Sequence, residues 1–347
     1  MYGLRGLLGI LFLFATLYTP LASHAAETLR VMTHDSFNVS TTIIEQFEQK
    51  NNAHVEFLKS GDAGVALVQA ILSKGKPLAD VFFGIDNTFL SRAINASIFD
   101  TYTPVLLSQV PIHLRLDPGN QLIPITYGDV CLNYDKLWFA SKGIAPPTAL
   151  EDLIKPDYKG LTVVENPATS SPGLAFLLAT IGHFGENEYI NFWKKMREND
   201  TLVANGWEDA YYGHFTAASK GDRPIVVSYA SSPPAAVHFS STPLTEAPTA
   251  AVVGNQSAFR QVEFAGILSG TKHPELARKF IDFMLDIPFQ EDVPLQMFVF
   301  PVNPSAKLPE IFLQHAVVAD NPAIVSPAAI EENRDRWLEE WTTVMLR

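Results

Sequence analysis

The chain has 347 residues, 47% hydrophobic and 18% charged, which rules out disorder as its main state. Its 25 basic and 37 acidic residues give a net charge of −12, a poor match for nucleic acid or an anionic membrane surface. One cysteine, Cys131, can form neither an internal disulfide nor a Cys/His zinc site.

Residues 1–25 read as a secretory signal. Arg5 precedes the uncharged run Gly6 to Leu21, and Ser23-His24-Ala25 offers small residues before a cut. The run is shorter than the ~20 residues of a spanning helix, and Pro20 interrupts its end. No cysteine follows that could carry a lipid. Cleavage removes one positive charge, so −12 becomes −13 in an exported chain that does not insert in the membrane.

Three strand–loop–helix units come next. Leu29 to Met32 is a strand, followed by the polar loop Thr33 to Ser36 and a helix with Thr42 and Glu45 spaced as a capping box. His54 to Leu58 is the second strand, Ser60 to Gly64 its loop, and Val65, Leu67, Val68, Ile71 and Leu72 the apolar face of its helix. Asp80 to Ile85, Asp86-Asn87 and Thr88 to Asn95 repeat the pattern. Such a series builds a parallel sheet covered by helices, with ligands at the carboxyl ends of the strands.

Tyr127 to Tyr134 then crosses to a second block of the same kind. It contains the strand Leu161 to Val164, the turn Asn166 to Gly173, the helix Leu174 to Ile181 and the strand Ile225 to Tyr229. Pro233 to Pro248 reads as surface loop, and Val262 to Leu268 as a matching strand on the way back. Helices follow from Pro274 to Leu285 and from Pro327 onward, with Trp337, Trp341 and Val344 on one packed face. The expected fold is α/β: two lobes, each a mainly parallel sheet flanked by helices, joined by a two-strand hinge. Residues 26–126 and 269–347 form lobe 1, and 127–268 form lobe 2 with the hinge strands.

Nucleophile-elbow, phosphate-loop and dinucleotide patterns are absent, as is His-Glu-x-x-His. Tyr211 and His214 stand three apart, where a structural histidine is the simpler reading than a metal ligand. Glu331-Glu332 and Glu339-Glu340 read as solvated helix charges. No catalytic residue, metal or cofactor is expected.

Binding chemistry is better represented. Ser170 or Ser171 can cap the helix after the Asn166 turn, with Pro172 in its first turn; the same N-terminus also suits an anion or hydroxyl. Trp207 and Tyr229 end apolar runs, where they are either core or cleft wall. Gln296 to Asn303 is an uncharged aromatic segment that reads as extended. Asp35, Asp62, Asp86 and Asp129 fall at loop or crossing positions. Aromatics with carboxylates suit a flat, cationic, heteroaromatic ligand.

Several motifs in order resemble the thiamine-binding subunits of bacterial ABC importers, periplasmic solute-binding proteins. They are Thr33-His34-Asp35-Ser36-Phe37, Asp80 to Asn87, Tyr127 to Lys136, Thr169 to Gly173, Gly206-Trp207, Ser228 to Pro233 and Phe300-Pro301-Val302. The resemblance implies capture of thiamine or a thiamine phosphate by a periplasmic monomer that delivers it to a permease with its ATPase. Ala63 and Gly64 would line the site through backbone, while Ser170 and Ser171 would take the hydroxyethyl or phosphate end. Trp207 and Tyr229 would enclose the rings, Ala230, Ser231 and Ser232 would complete that wall, and Phe298 would stand where the family often has Trp. His34, Asp35 and Tyr127 belong to the same implied set. Enteric members have Tyr at His34, Asp at Thr126 and Asp at Ala63, where the adjacent Asp62 can substitute. They also carry a Trp-containing insertion that is missing here. Ferric iron, a polyamine and an exported thiamine-degrading enzyme with Cys131 as nucleophile are the alternatives.

Overall fold

The first three strands form at the expected places, as β1 (Glu27–Thr33), β2 (Ala53–Lys59) and β3 (Val81–Asp86). The computed structural model describes residues 26–347, so the signal segment expected at 1–25 lies outside the described residues. β1 pairs in parallel with both β2 and β3. Every residue of β3 is buried, as a strand covered on both faces requires.

The chain continues through β4 (Phe99–Asp100), β5 (Ile123–Asp135), β6 (Thr162–Glu165), β7 (Leu202–Ala204) and β8 (Ile225–Tyr229). It ends with β9 (Thr249–Val252), β10 (Phe259–Leu268) and β11 (Phe300–Pro301). The sheet runs β2-β1-β3-β10-β5-β8-β6-β7. β6 is parallel to β7 and β8, so each end of this order is a parallel group. The middle is antiparallel: β10 pairs with β3 and β5, and β5 pairs with β8. β5 and β10 are therefore the two strands that join the groups. β10 starts at Phe259, earlier than expected, because Phe259 still finds Val130 opposite it.

Helices bury their apolar faces on both groups. Trp337 and Trp341 are fully buried, and Trp341 meets Trp193 edge-on at 5.6 Å, which is core packing. No helix among the described residues is long and apolar enough to cross a membrane.

Three local expectations fail. The first helix, Thr41–Asn51, is preceded by Ser40 rather than capped by Thr42; the Ser40 hydroxyl donates to Asp292 instead, so no capping box forms. In helix Ala63–Leu72 the buried face is Ala63, Gly64, Ala66, Leu67 and Ala70, while Val65, Val68 and Leu72 are exposed. Small residues face inward there because the helix lies close against its neighbours. Pro233–His238 is a short helix rather than loop, since two prolines fit its first turn.

Two glycines permit close approaches, one within the first group and one between the groups. Gly84 in β3 has φ +105°, and a Cβ there would run into the His34 ring. A Cβ on Gly64 would lie 2.8 Å from the Thr169 carbonyl oxygen, across from the first group.

Candidate functional site

A cavity of about 310 Å³ lies where the strand ends of both groups meet the hinge. Its size fits a small organic molecule. It opens between the loop after β1, the start of helix Ala63–Leu72, the start of helix Ser171–Phe184, the segment after β7, the end of β8 and the turn before β11.

One wall is aromatic. Trp207 stacks on Tyr211 with centroids 4.9 Å apart and meets Tyr212 edge-on at 5.5 Å. Trp207 donates from its indole N–H to the Ser228 hydroxyl at 2.9 Å, which fixes the ring plane. Ser228 in turn shares a hydrogen bond with Ser232 at 2.8 Å. Tyr229 donates its hydroxyl proton to Gln261 at 2.6 Å. Phe298 sits at φ +53°, which turns the chain so that Met297, Phe298 and Val299 all line the cavity. That turn replaces the extended segment expected over 296–303.

The opposite side is acidic. Asp62 caps helix Ala63–Leu72 by accepting the Ala63 N–H at 2.7 Å. It also accepts the N–H of Ser171 at 3.2 Å and of Trp207 at 3.1 Å, both from the second group. Burial raises its pKa above the usual carboxylate value, against the pull of those hydrogen bonds. Asp35 accepts the Gly61 N–H at 2.8 Å and lines the same side. His34 lies 3.3 Å from Glu263 of β10. Burial pulls the imidazole toward its neutral form, but the Glu263 carboxylate outweighs it and leaves the pKa raised. Burial likewise opposes the Glu263 charge, yet His34 holds that carboxylate below its usual value. The Thr126 hydroxyl donates to Glu263 at 2.6 Å.

Gln261 ties the floor together. Its amide N–H group donates to Asp86 and, at 2.8 Å, to the Ser171 hydroxyl, while its oxygen accepts from Tyr229. Asp86 is fully buried, and that burial pushes its pKa up to about 6.

The cavity thus gathers His34, Asp35, Ala63, Ser171, Trp207 and Tyr229, with Ser232 and Phe298 beside them. Five expected residues lie off it. Gly64 packs on the Thr169 carbonyl. Ser170 is fully buried and spends its oxygen on the Gly173 N–H as a helix cap. Ala230 and Ser231 are fully buried, and Ala230 packs in a small cluster with Cys131, Ala258 and Ala319. Tyr127 turns away to stack on Phe300 at 5.3 Å, below Arg260. Asp129 also leaves the cleft, because its two oxygens are taken by Arg260 at 2.8 and 2.9 Å. Tyr211, Tyr212, Glu208, Asp209 and Glu263 line the cavity without having been expected there. The aromatic spacing of 207, 211 and 212 was the available signal for the tyrosines.

The model of the bacterial extracellular solute-binding protein family matches residues 76–320. A thiamine-binding periplasmic protein of Brucella suis is 31% identical over 346 residues, covering 96% of this chain and 97% of that protein. Its counterpart from Escherichia coli K12 is 30% identical, covering 93% and 95%. A solved periplasmic thiamin binding protein superposes with a TM-score of 0.82 at 27% identity, covering 94% and 99%.

Proposed function

We propose, starting from the fact that this chain belongs to the bacterial extracellular solute-binding protein family, that its hinge cleft captures thiamine or a thiamine phosphate for import. One observation carries the reading. The cavity sets the stacked Trp207–Tyr211 pair against carboxylates, among them Asp62 and Asp35. Thiamine offers a thiazolium cation and a flat pyrimidine. Ring faces attract a delocalised cation by ~0.5–2 kcal/mol each, more where water is excluded. Carboxylates supply the countercharge, and the Ser171 hydroxyl at the start of a long helix suits the hydroxyethyl or phosphate end.

The mechanism is capture and closure. The two groups supply opposite sides of the cavity, so a bound ring favours the closed arrangement over the open one. Asp62 already spans the two groups and would be shielded by the ligand. A monomeric, periplasmic carrier would present the closed shape to a membrane permease and its ATPase.

The alternatives fit less well. Tyr211 is buried with its ring against Trp207, so the Tyr211-Tyr212 pair serves as ring surface rather than as oxygen donors for ferric iron. A polyamine would leave the flat stacking surface unused. For an enzyme, Cys131 is fully buried, and burial pushes its thiol well above the usual value, far from a reactive thiolate. Isothermal titration with thiamine, its monophosphate and its diphosphate tests the reading. Heat of binding with quenching of Trp fluorescence is expected, and silence with all three ligands would sink it.

A further inference from the structure

Glu165 is the carboxyl that the cleft chemistry does not account for. It closes β6, is 1% exposed, and neither side-chain oxygen has a hydrogen-bond partner. Buried polar atoms are seldom left unpaired, and a carboxylate least of all. Its strand neighbour is Ala204 of β7, which leads within three residues to Trp207. The two-residue strand period puts Glu165 on the same face as Val163, which packs in the cluster that Trp207 covers. Gly173, in the first turn of the helix that carries Ser171, lies so close that its Cβ would be 3.0 Å from the Glu165 Cβ. Glu165 therefore lies between the segment that leads to Trp207 and the helix start that carries Ser171.

We propose that entry of a cation into the cleft expels a proton from Glu165, so that capture is linked to proton release. This rests on the reading of the cleft as a thiamine site. Before the cation arrives, one negative charge is shared unequally between two acids. Asp62 takes it, because three backbone N–H groups donate to its oxygens. Glu165 has no donor from any other residue and stays a neutral acid; burial first, then the Asp62 charge, hold its pKa well above the usual value. The facing groups are Asp62 from the helix cap and Tyr229 from β8, whose phenol is itself held neutral by burial and these carboxylates. Glu208, Asp209 and the His34–Glu263 pair line the cavity, and Asp86 and Glu263 act on the same Tyr229 phenol. An arriving cation offsets the Asp62 charge. The Glu165 O–H then breaks, its electron pair stays on the carboxylate, and the proton passes to solvent. One positive charge enters as another leaves.

Calorimetric titration of thiamine in phosphate and in Tris at one pH measures protons released per ligand bound. A release of up to one proton is expected for the wild-type chain. Affinity should also rise with pH, by at most tenfold per unit. Glu165→Gln and Glu165→Met, which fill the same space without titrating, should both abolish the release. Thiamine binding without any proton release in the wild type overturns the proposal and leaves the functional reading intact. Release that persists in either variant assigns the proton elsewhere and also overturns it. No thiamine binding at all removes the functional reading, and this inference with it.

Discussion

The Asp62 carboxylate accepts the backbone N–H of Trp207 at 3.1 Å, across the cleft and between residues 145 positions apart in sequence. A second cross-cleft bond, from the Ser171 N–H, ends on the other oxygen of the same carboxylate. Asp62 therefore fastens the segment that carries the aromatic wall to the group that carries the acids. Asp62→Ala should leave both N–H groups without an acceptor, each costing about 1–3 kcal/mol where water cannot reach them. The open form escapes this cost, so the variant should be more open without ligand and bind thiamine more weakly. Small-angle scattering reads the first effect and titration the second. A radius of gyration and an affinity both equal to wild type would refute the bridging role.

Trp207 and Tyr229 make different contributions that substitution can separate. Trp207→Ala removes the ring face stacked on Tyr211 and should weaken thiamine binding by about 1–3 kcal/mol. Tyr229→Phe keeps the ring and deletes only the hydroxyl that Gln261 accepts. It should cost less, about 0.5–1.5 kcal/mol, the net worth of a hydrogen bond. Trp193, Trp337 and Trp341 are buried in the core and Trp138 lies off the cavity, so the ligand-dependent fluorescence change should vanish in Trp207→Ala. Quenching that survives there would place the rings elsewhere.

The His34–Glu263 ion pair gives stability a defined pH window. His34 has a raised folded pKa, so its contribution is complete below 6.5 and is lost as pH rises through the raised value. Glu263 has a lowered folded pKa, so its share is complete above 4.5 and is lost as pH falls through the lowered value. The pair therefore stabilises most between about 4.5 and 6.5. Glu263→Gln should lower stability by about 1–3 kcal/mol at pH 5.5 and by clearly less at pH 9. Urea midpoints at the two values decide this. An equal loss at both would mean the bond does not depend on the histidine charge.

Much of the fold is legible because apolar strands alternating with helices leave few arrangements, and the β1, β3, β6 and β8 segments read plainly as buried strands. Helix faces are less legible: Val65 and Val68 look like a core face, yet Gly64 and Ala66 point inward, and at Gly64 a Cβ would meet the Thr169 carbonyl. At the site, Trp207 and Tyr229 could be read as an aromatic that ends a strand or loop. Glu263 and Gln261 could not. They lie in a strand that looks like plain hinge, and their importance comes from what β10 brings near, namely His34, Ser171 and Asp86. Asp129 misled for the converse reason, since Arg260, distant in sequence, claims it on the strand opposite.

Gly64 offers a test in which helix stability and closure move in opposite directions. It occupies the first turn of helix Ala63–Leu72 at ordinary helical φ, so Gly64→Ala should strengthen the helix by up to about 1 kcal/mol. The added methyl would stand 2.8 Å from the Thr169 carbonyl oxygen and 3.0 Å from the Phe89 ring. Thr169 belongs to the turn before Ser171, across the cleft, and its backbone is held by the Asn166 carbonyl. It can yield only if the two groups part. Overpacking of this kind costs about 1–3 kcal/mol, and here most of it falls on the closed form. The variant should therefore keep its folding cooperativity while binding thiamine roughly ten- to hundredfold more weakly, a range that corresponds to the same cost. Thermal unfolding without ligand, set beside titration with thiamine, measures both halves. Wild-type affinity in a folded Gly64→Ala chain would show that capture does not need the Gly64–Thr169 contact.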